Sequence, residues 1–199
     1  MKILRDSVFT TVMILVVGLS ACTDSQKEKK TEQTADSTTD LAEDRNDAKF
    51  DESKKDDADF MMDASECNLM EIQLGKLAQK NAVSSEVKKL GKMLEKHHSN
   101  AQKDLQGLAD KKQVSLPAML SGDGKETENN MTSKTGTEFE REYCDKTVKS
   151  HEDIIKKFEK ASLDAEDPEL KNWAATMLPT LREHLDMAIT CQKKANKKS

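Results

Sequence analysis

The sequence is poor in aromatic residues, with one Trp, one Tyr and five Phe among 199. Sheet proteins draw their packing from aromatic and β-branched side chains and punctuate their strands with turn residues, yet Gly and Pro number only seven and three. Both shortages weigh against strands and favour an all-helical chain. A basic stripe is also lacking: 32 Lys and Arg are interspersed with 37 Asp and Glu, for a net charge of −5. That excludes a nucleic-acid partner, since phosphate binding needs clustered positive charge. Nothing resembles a phosphate-binding loop or a hydrolase triad. The Lys-rich end, KKANKKS, reads as a solvated terminus.

Long apolar runs are absent except at the start. Residues 1–22 carry Lys2 and Arg5 in front, an apolar stretch over Val8 to Leu19, and small residues before a cysteine. The stretch is short for a membrane span and fits an export signal. Its end, Leu19-Ser20-Ala21-Cys22, resembles the lipobox of bacterial lipoproteins. The resemblance implies that Cys22 is lipidated and becomes the mature N-terminus, anchoring the chain to a membrane. Thr23, where an Asp would mark inner-membrane retention, implies the outer membrane, with the domain in the periplasm.

Residues 23–57 have little that is apolar beyond Leu41 and Phe50. Such a segment cannot offset its chain entropy by burial, so a disordered, charged tether is expected here. One domain follows over 58–195.

Four stretches of that domain have apolar residues alternating three and four apart, the period of an amphipathic helix. The seams are Phe60, Ala64, Cys67, Glu71, Leu74, Ala78; then Val87, Gly91, Leu94, His98, Ala101, Leu105, Leu108; then Cys144, Val148, His151, Ile155, Phe158; and Leu170, Ala174, Met177, Leu181, His184, Ala188, Cys191. Four seams imply a four-helix bundle. Ser84 or Ser85 is placed to cap the second helix. Asp167-Pro168-Glu169 opens the fourth with a capping carboxylate and a proline at the first helical position, and Pro179 is expected to kink it. The link over 111–137 is too long for a tight hairpin and suits the crossover of a ferritin-like fold, with room for a short extra helix.

Each seam carries one polar residue at a comparable depth: Glu71, His98, His151 and His184. His98, not His97, is in phase with Leu94 and Ala101, which leaves His97 about 100° round the helix, at the rim. The four have three readings: a buried hydrogen-bond network that fixes helix register, a metal site for zinc, iron or manganese, or a partial convergence of only some of them. A di-iron site would need Glu-x-x-His on two helices. Glu95 and His98 supply one such pair, but Leu181 stands three before His184, so a mononuclear site is the metal option. Glu95 and Tyr143 are the supporting residues expected around it.

Three further cysteines stand at 67, 144 and 191. If His151 faces His184 in an antiparallel hairpin, Cys144 faces Cys191 one heptad further from the turn. A disulfide and two reduced buried thiols are both open there, while Cys67 is left as core filler.

Several blocks resemble one bacterial family, the domain of unknown function 4142. They include Phe60-Met61-Met62-Asp63-Ala64, Asn68 to Ala78, His98 with Ala101 and Leu105, Phe139-Glu140-Arg141-Glu142-Tyr143, and Leu178-Pro179-Thr180-Leu181-Arg182-Glu183-His184-Leu185. The family pattern has an Asp where His97 stands. The resemblance implies an exported protein with a ferritin-like bundle and leaves activity open. Two functions are therefore expected to compete. One is a lipid-anchored, non-catalytic envelope module that binds an envelope protein partner or protects against stress. The other is a metal-binding, ferritin-like protein with Glu71, His98, His151 and His184 as ligands, with scope for redox activity.

Overall fold

The computed structural model describes residues 38–197, all helix and short connections. A first helix, α1, covers 38–47. It is followed by α2 (Glu52–Asn81), α3 (Ser85–Lys112), α4 (Gly122–Thr132), α5 (Gly136–Asp164) and α6 (Pro168–Asn196). Among the described residues no helix is long and apolar enough to cross a membrane.

The four long helices form a bundle of two hairpins, α2 with α3 and α5 with α6, joined by α2 against α5 and α3 against α6. The Asp57 carboxylate, near the start of α2, accepts from the backbone N–H groups of Glu166 and Asp167 in the α5–α6 turn, at 3.1 and 2.8 Å. At the other end, Asn81 donates to the carbonyl of Lys134, just before α5, at 2.8 Å. The α3–α5 connection therefore runs the length of the bundle, and α4 lies on α2 along the way. α3 and α5 point the same way as a result.

The expected tether over 23–57 is corrected by the structure for residues 38–57, which belong to the folded body. Ala42 and Asn46 are buried. The Asn46 amide donates to the Ser115 carbonyl at 2.9 Å and accepts from the Ser115 N–H at 2.8 Å. A two-way bond to the backbone anchors α1 with few apolar residues, which hydropathy alone does not reveal. Residues 23–37 lie outside the described residues.

The seams bury as their period requires, with Cys67, Leu108 and Met177 only half-buried. Asp167 caps α6, accepting from the N–H groups of Glu169 and Leu170. The cap of α3 differs from expectation. Ser84 is the N-cap residue, but its side chain makes no cap bond. Instead the buried Glu140 carboxylate of α5 accepts from the N–H groups of Val83 and Ser84. A carboxylate at a helix N-terminus is favoured by the helix dipole, and here it also pins the first hairpin to the second. α6 remains a single helix through Pro179.

Two glycines set how closely α2 and α3 approach. A methyl group added at Gly91 would lie 2.6 Å from the Ala78 Cβ and 2.8 Å from the Gly75 carbonyl oxygen. One added at Gly75 would meet the Gly91 carbonyl oxygen at 2.6 Å. These backbones cannot be that near with any larger residue. Gly91→Ala is expected to cost about 1–3 kcal/mol in a denaturant melt, through overpacking. Gly107→Ala, where nothing lies within 4 Å, is expected to stabilise through helix propensity. Equal effects at both positions would refute the close approach.

Candidate metal centre

The apolar interior falls into two clusters. One, around Phe60, Met61, Leu105, Phe158 and Leu170, fills the end holding the α5–α6 turn. The other, around Leu74, Leu90, Leu94, Phe139 and Ala188, fills the end holding the α2–α3 turn. Between them lies a buried polar layer that includes Ser65, Asn68, Glu71, His98, Thr147, His151 and His184.

His98, His151 and His184 converge. One ring nitrogen from each lies within 4.8 Å of the other two, the one such group of three found among the described residues. The ring centroids are 5.3–5.5 Å apart.

Hydrogen-bond logic assigns the protons. His151 Nδ1 lies 2.9 Å from the Thr147 carbonyl, one turn back on α5. A carbonyl only accepts, so His151 Nδ1 carries a proton, and in the neutral ring Nε2 is then bare. His151 Nε2 faces His184 Nδ1 at 3.4 Å. His98 Nδ1 lies 2.9 Å from Asn68 Oδ1. The Asn68 amide nitrogen donates to Gln102 Oε1 at 3.3 Å, and Gln102 donates in turn to Ser65 at 2.8 Å. His98 therefore donates from Nδ1, and its bare Nε2 is buried without any partner.

Electrostatics keep His98 and His184 neutral. Burial, then the neighbouring histidines, hold His98 well below the usual imidazole range. Burial, with His151 and His97, pushes His184 down to about 3. A neutral ring keeps a lone pair for a metal, and an apolar core favours that state.

Glu71 is corrected by the geometry. It is buried, but it approaches His151 on the Nδ1 side, with Oε1 at 3.7 Å, and is not one of the convergent group. Ser150 donates to its Oε1 while Oε2 has no partner. Burial raises its carboxyl above the usual range, against the opposing pull of His151 and the Ser150 bond. A surface cleft of ≈ 370 Å³ between α2, α4 and α5 reaches Glu71, with Cys67, Ser121, Ser150 and Lys157 among its walls.

The supporting residues also differ from expectation. Glu95 accepts from Gln79 at 2.6 Å, tying α3 to α2. Tyr143 is fully buried and stacked on Phe139, its hydroxyl unpartnered. Cys144 and Cys191 do face each other, but as free thiols. Cys22 lies outside the described residues. Sequence reasoning missed Asn68 and Thr147, which face inward beside the chosen seam positions. It placed His97 at the rim, where it is half-buried, but missed its contact with His184: His97 Nδ1 lies 2.8 Å from His184 Nε2, the rings stacked 5.1 Å apart.

A helical bundle with a buried three-imidazole cluster is the class that fold and site define. Residues 41–190 match the model of the family described as Domain of unknown function (DUF4142), and the chain belongs to that family. No curated protein and no solved structure matches the chain.

The titrations have opposite signs. Below pH 6.5 the unfolded chain binds protons that buried His184 and His98 refuse, so their contribution to stability is lost as pH falls below 6.5, for His184 down to about 3. Glu71 retains a proton that the unfolded chain releases above 4.5, so its contribution declines as pH rises past 4.5. Thermal melts of Glu71→Gln should therefore gain on the parent as pH rises above 4.5, then level off once the folded carboxyl ionises. A difference constant from pH 4 to 8 would show that Glu71 holds no extra proton.

Proposed function

We propose that the chain is a metal-binding bundle protein in which His98, His151 and His184 hold one transition-metal ion. The observation that carries this reading is the bare, buried Nε2 of His98. An unpaired buried acceptor costs about 1–3 kcal/mol, and here it shares a small space with two other imidazoles. The separation of His151 Nε2 and His184 Nδ1 is 3.4 Å. It is close to the edge of a tetrahedral nitrogen site, about 3.3 Å for bonds of about 2.0–2.1 Å. Three imidazoles without a carboxylate suit zinc and also accept iron or manganese, with coordination positions left for solvent. Glu71, its carboxyl raised by burial and lying near the outer nitrogen of His151, is a neighbour of the ligands and not one of them. We further propose that Cys22 carries the lipid anchor and that the domain works in the periplasm at the outer membrane.

The competing reading is a non-catalytic envelope module whose polar layer only fixes helix register. It draws on the continuous bonding from Ser65 through Gln102 and Asn68 to His98. Metal titration of the full chain separates the two readings. After chelator treatment, the parent should take up one Zn²⁺ or Co²⁺ per chain and melt at higher temperature by mass action. His98→Ala and His151→Ala, checked for helix content, should weaken uptake by more than about 100-fold, beyond the usual effect of supporting residues. A parent that stays metal-free, with an unchanged melt, would favour the register reading.

A further inference from the structure

The proton positions derived above lead outward from the core to a residue at the rim. His151 must keep its proton on Nδ1 because the Thr147 carbonyl accepts it. The bare Nε2 of His151 is then an acceptor, so His184 donates to it from Nδ1 across 3.4 Å. A neutral His184 with its proton on Nδ1 has a bare Nε2, and that nitrogen lies 2.8 Å from His97 Nδ1. The last bond closes only if His97 donates from Nδ1. With these bonds every proton in the row His97–His184–His151–Thr147 points inward, and the bare nitrogen of His184 faces the rim.

A shared ion needs the reverse at His184. The nitrogen facing His151 is Nδ1, so Nδ1 must be bare and the proton must sit on Nε2, donating to His97. We propose that His97 is the positioning residue that decides which nitrogen of His184 is bare, and that ion uptake by the cluster is coupled to a tautomer change in both rings. In that change His184 releases its Nδ1 proton to solvent and takes the Nδ1 proton of His97 on its Nε2. His97 takes a proton from solvent on its own Nε2, so each ring stays neutral and no net proton is released. The coupling to metal rests on the function proposed above, whereas the hold of His97 on His184 does not.

The chemistry of position 97 gives this choice its consequence. A carboxylate there only accepts, so it would keep the His184 proton on Nε2 and the inner nitrogen bare in advance. An imidazole does either. It lets the row be fully bonded when empty and, after two tautomer changes, fully bonded when loaded. The partial exposure of His97 puts the exchange with solvent at the edge of the bundle.

The test is long-range ¹H–¹⁵N correlation of the full chain with ¹⁵N-labelled histidine, metal-free at neutral pH, for the parent, His97→Asp and His97→Gln, with Zn²⁺ affinity measured by chelator competition. The expected result is His184 protonated on Nδ1 in the parent and on Nε2 in His97→Asp. His97→Gln, which keeps a donor and an acceptor, should behave as the parent does. His97→Asp should bind Zn²⁺ about 10-fold more tightly, the scale on which outer-nitrogen partners act. A parent with His184 already protonated on Nε2 would overturn the proposal, and so would a tautomer that does not move in His97→Asp. If the tautomer moves and no variant binds Zn²⁺, the metal reading and the coupling fall while the hold of His97 stands. Should Zn²⁺ bind with the tautomer unmoved, the assignment to His97 falls and the metal reading survives. The parent spectrum decides even if His97→Asp does not fold.

Discussion

A neutral imidazole has one proton to donate, and His151 donates from Nδ1 to the carbonyl of Thr147, one turn back in its own helix. That bond aims the lone pair of Nε2 into the bundle, and the polarity of the layer follows from it. His184 must donate inward, His97 must donate to His184, and His98, turned by Asn68, adds a second bare nitrogen. Because the helix itself supplies the acceptor, the arrangement holds as long as α5 is helical at 147–151. Two apolar clusters, one on each side, exclude the water that would otherwise randomise these donors and acceptors.

The surrounding packing serves this layer by fixing distances. Gly75 and Gly91 bring α2 to α3 closely enough for Asn68 to reach His98. The Glu140 carboxylate fastens the α2–α3 turn to α5, and Asp57 fastens the α5–α6 turn to α2. Each hairpin is thus held to the other at both ends, with the histidines between. Surface ion pairs such as Lys157 with Asp63 add little beside these, since exposed pairs contribute at most about 1 kcal/mol.

Much of this was legible in the sequence because helical period fixes which face turns inward. The four seams, the long crossover with its extra helix, and the separation of His98 from His97 all follow from spacing. The meeting of His98, His151 and His184 follows from equal depth along antiparallel helices. Glu71 shared that depth, yet depth does not say which side of a ring a neighbour reaches, and it came to the outer nitrogen of His151. Glu95 lay three residues from His98 in the right direction, but Gln79 on the facing helix claimed its carboxylate. Segment 38–57 was misjudged because its anchors are an amide and a carboxylate bonded to backbone, and composition counts those as solvent-loving. The partnership of His97 with His184 was illegible for a related reason: a rim position makes contacts that depend on how closely two helices approach.

The most direct measurement is X-ray absorption of the full chain loaded with one equivalent of Zn²⁺. Three imidazoles at about 2.0 Å, with the multiple scattering of the rings and a light atom completing the shell, are expected. A shell containing sulfur, or one in which imidazole scattering is missing, would place the ion elsewhere and contradict a centre built on His98, His151 and His184.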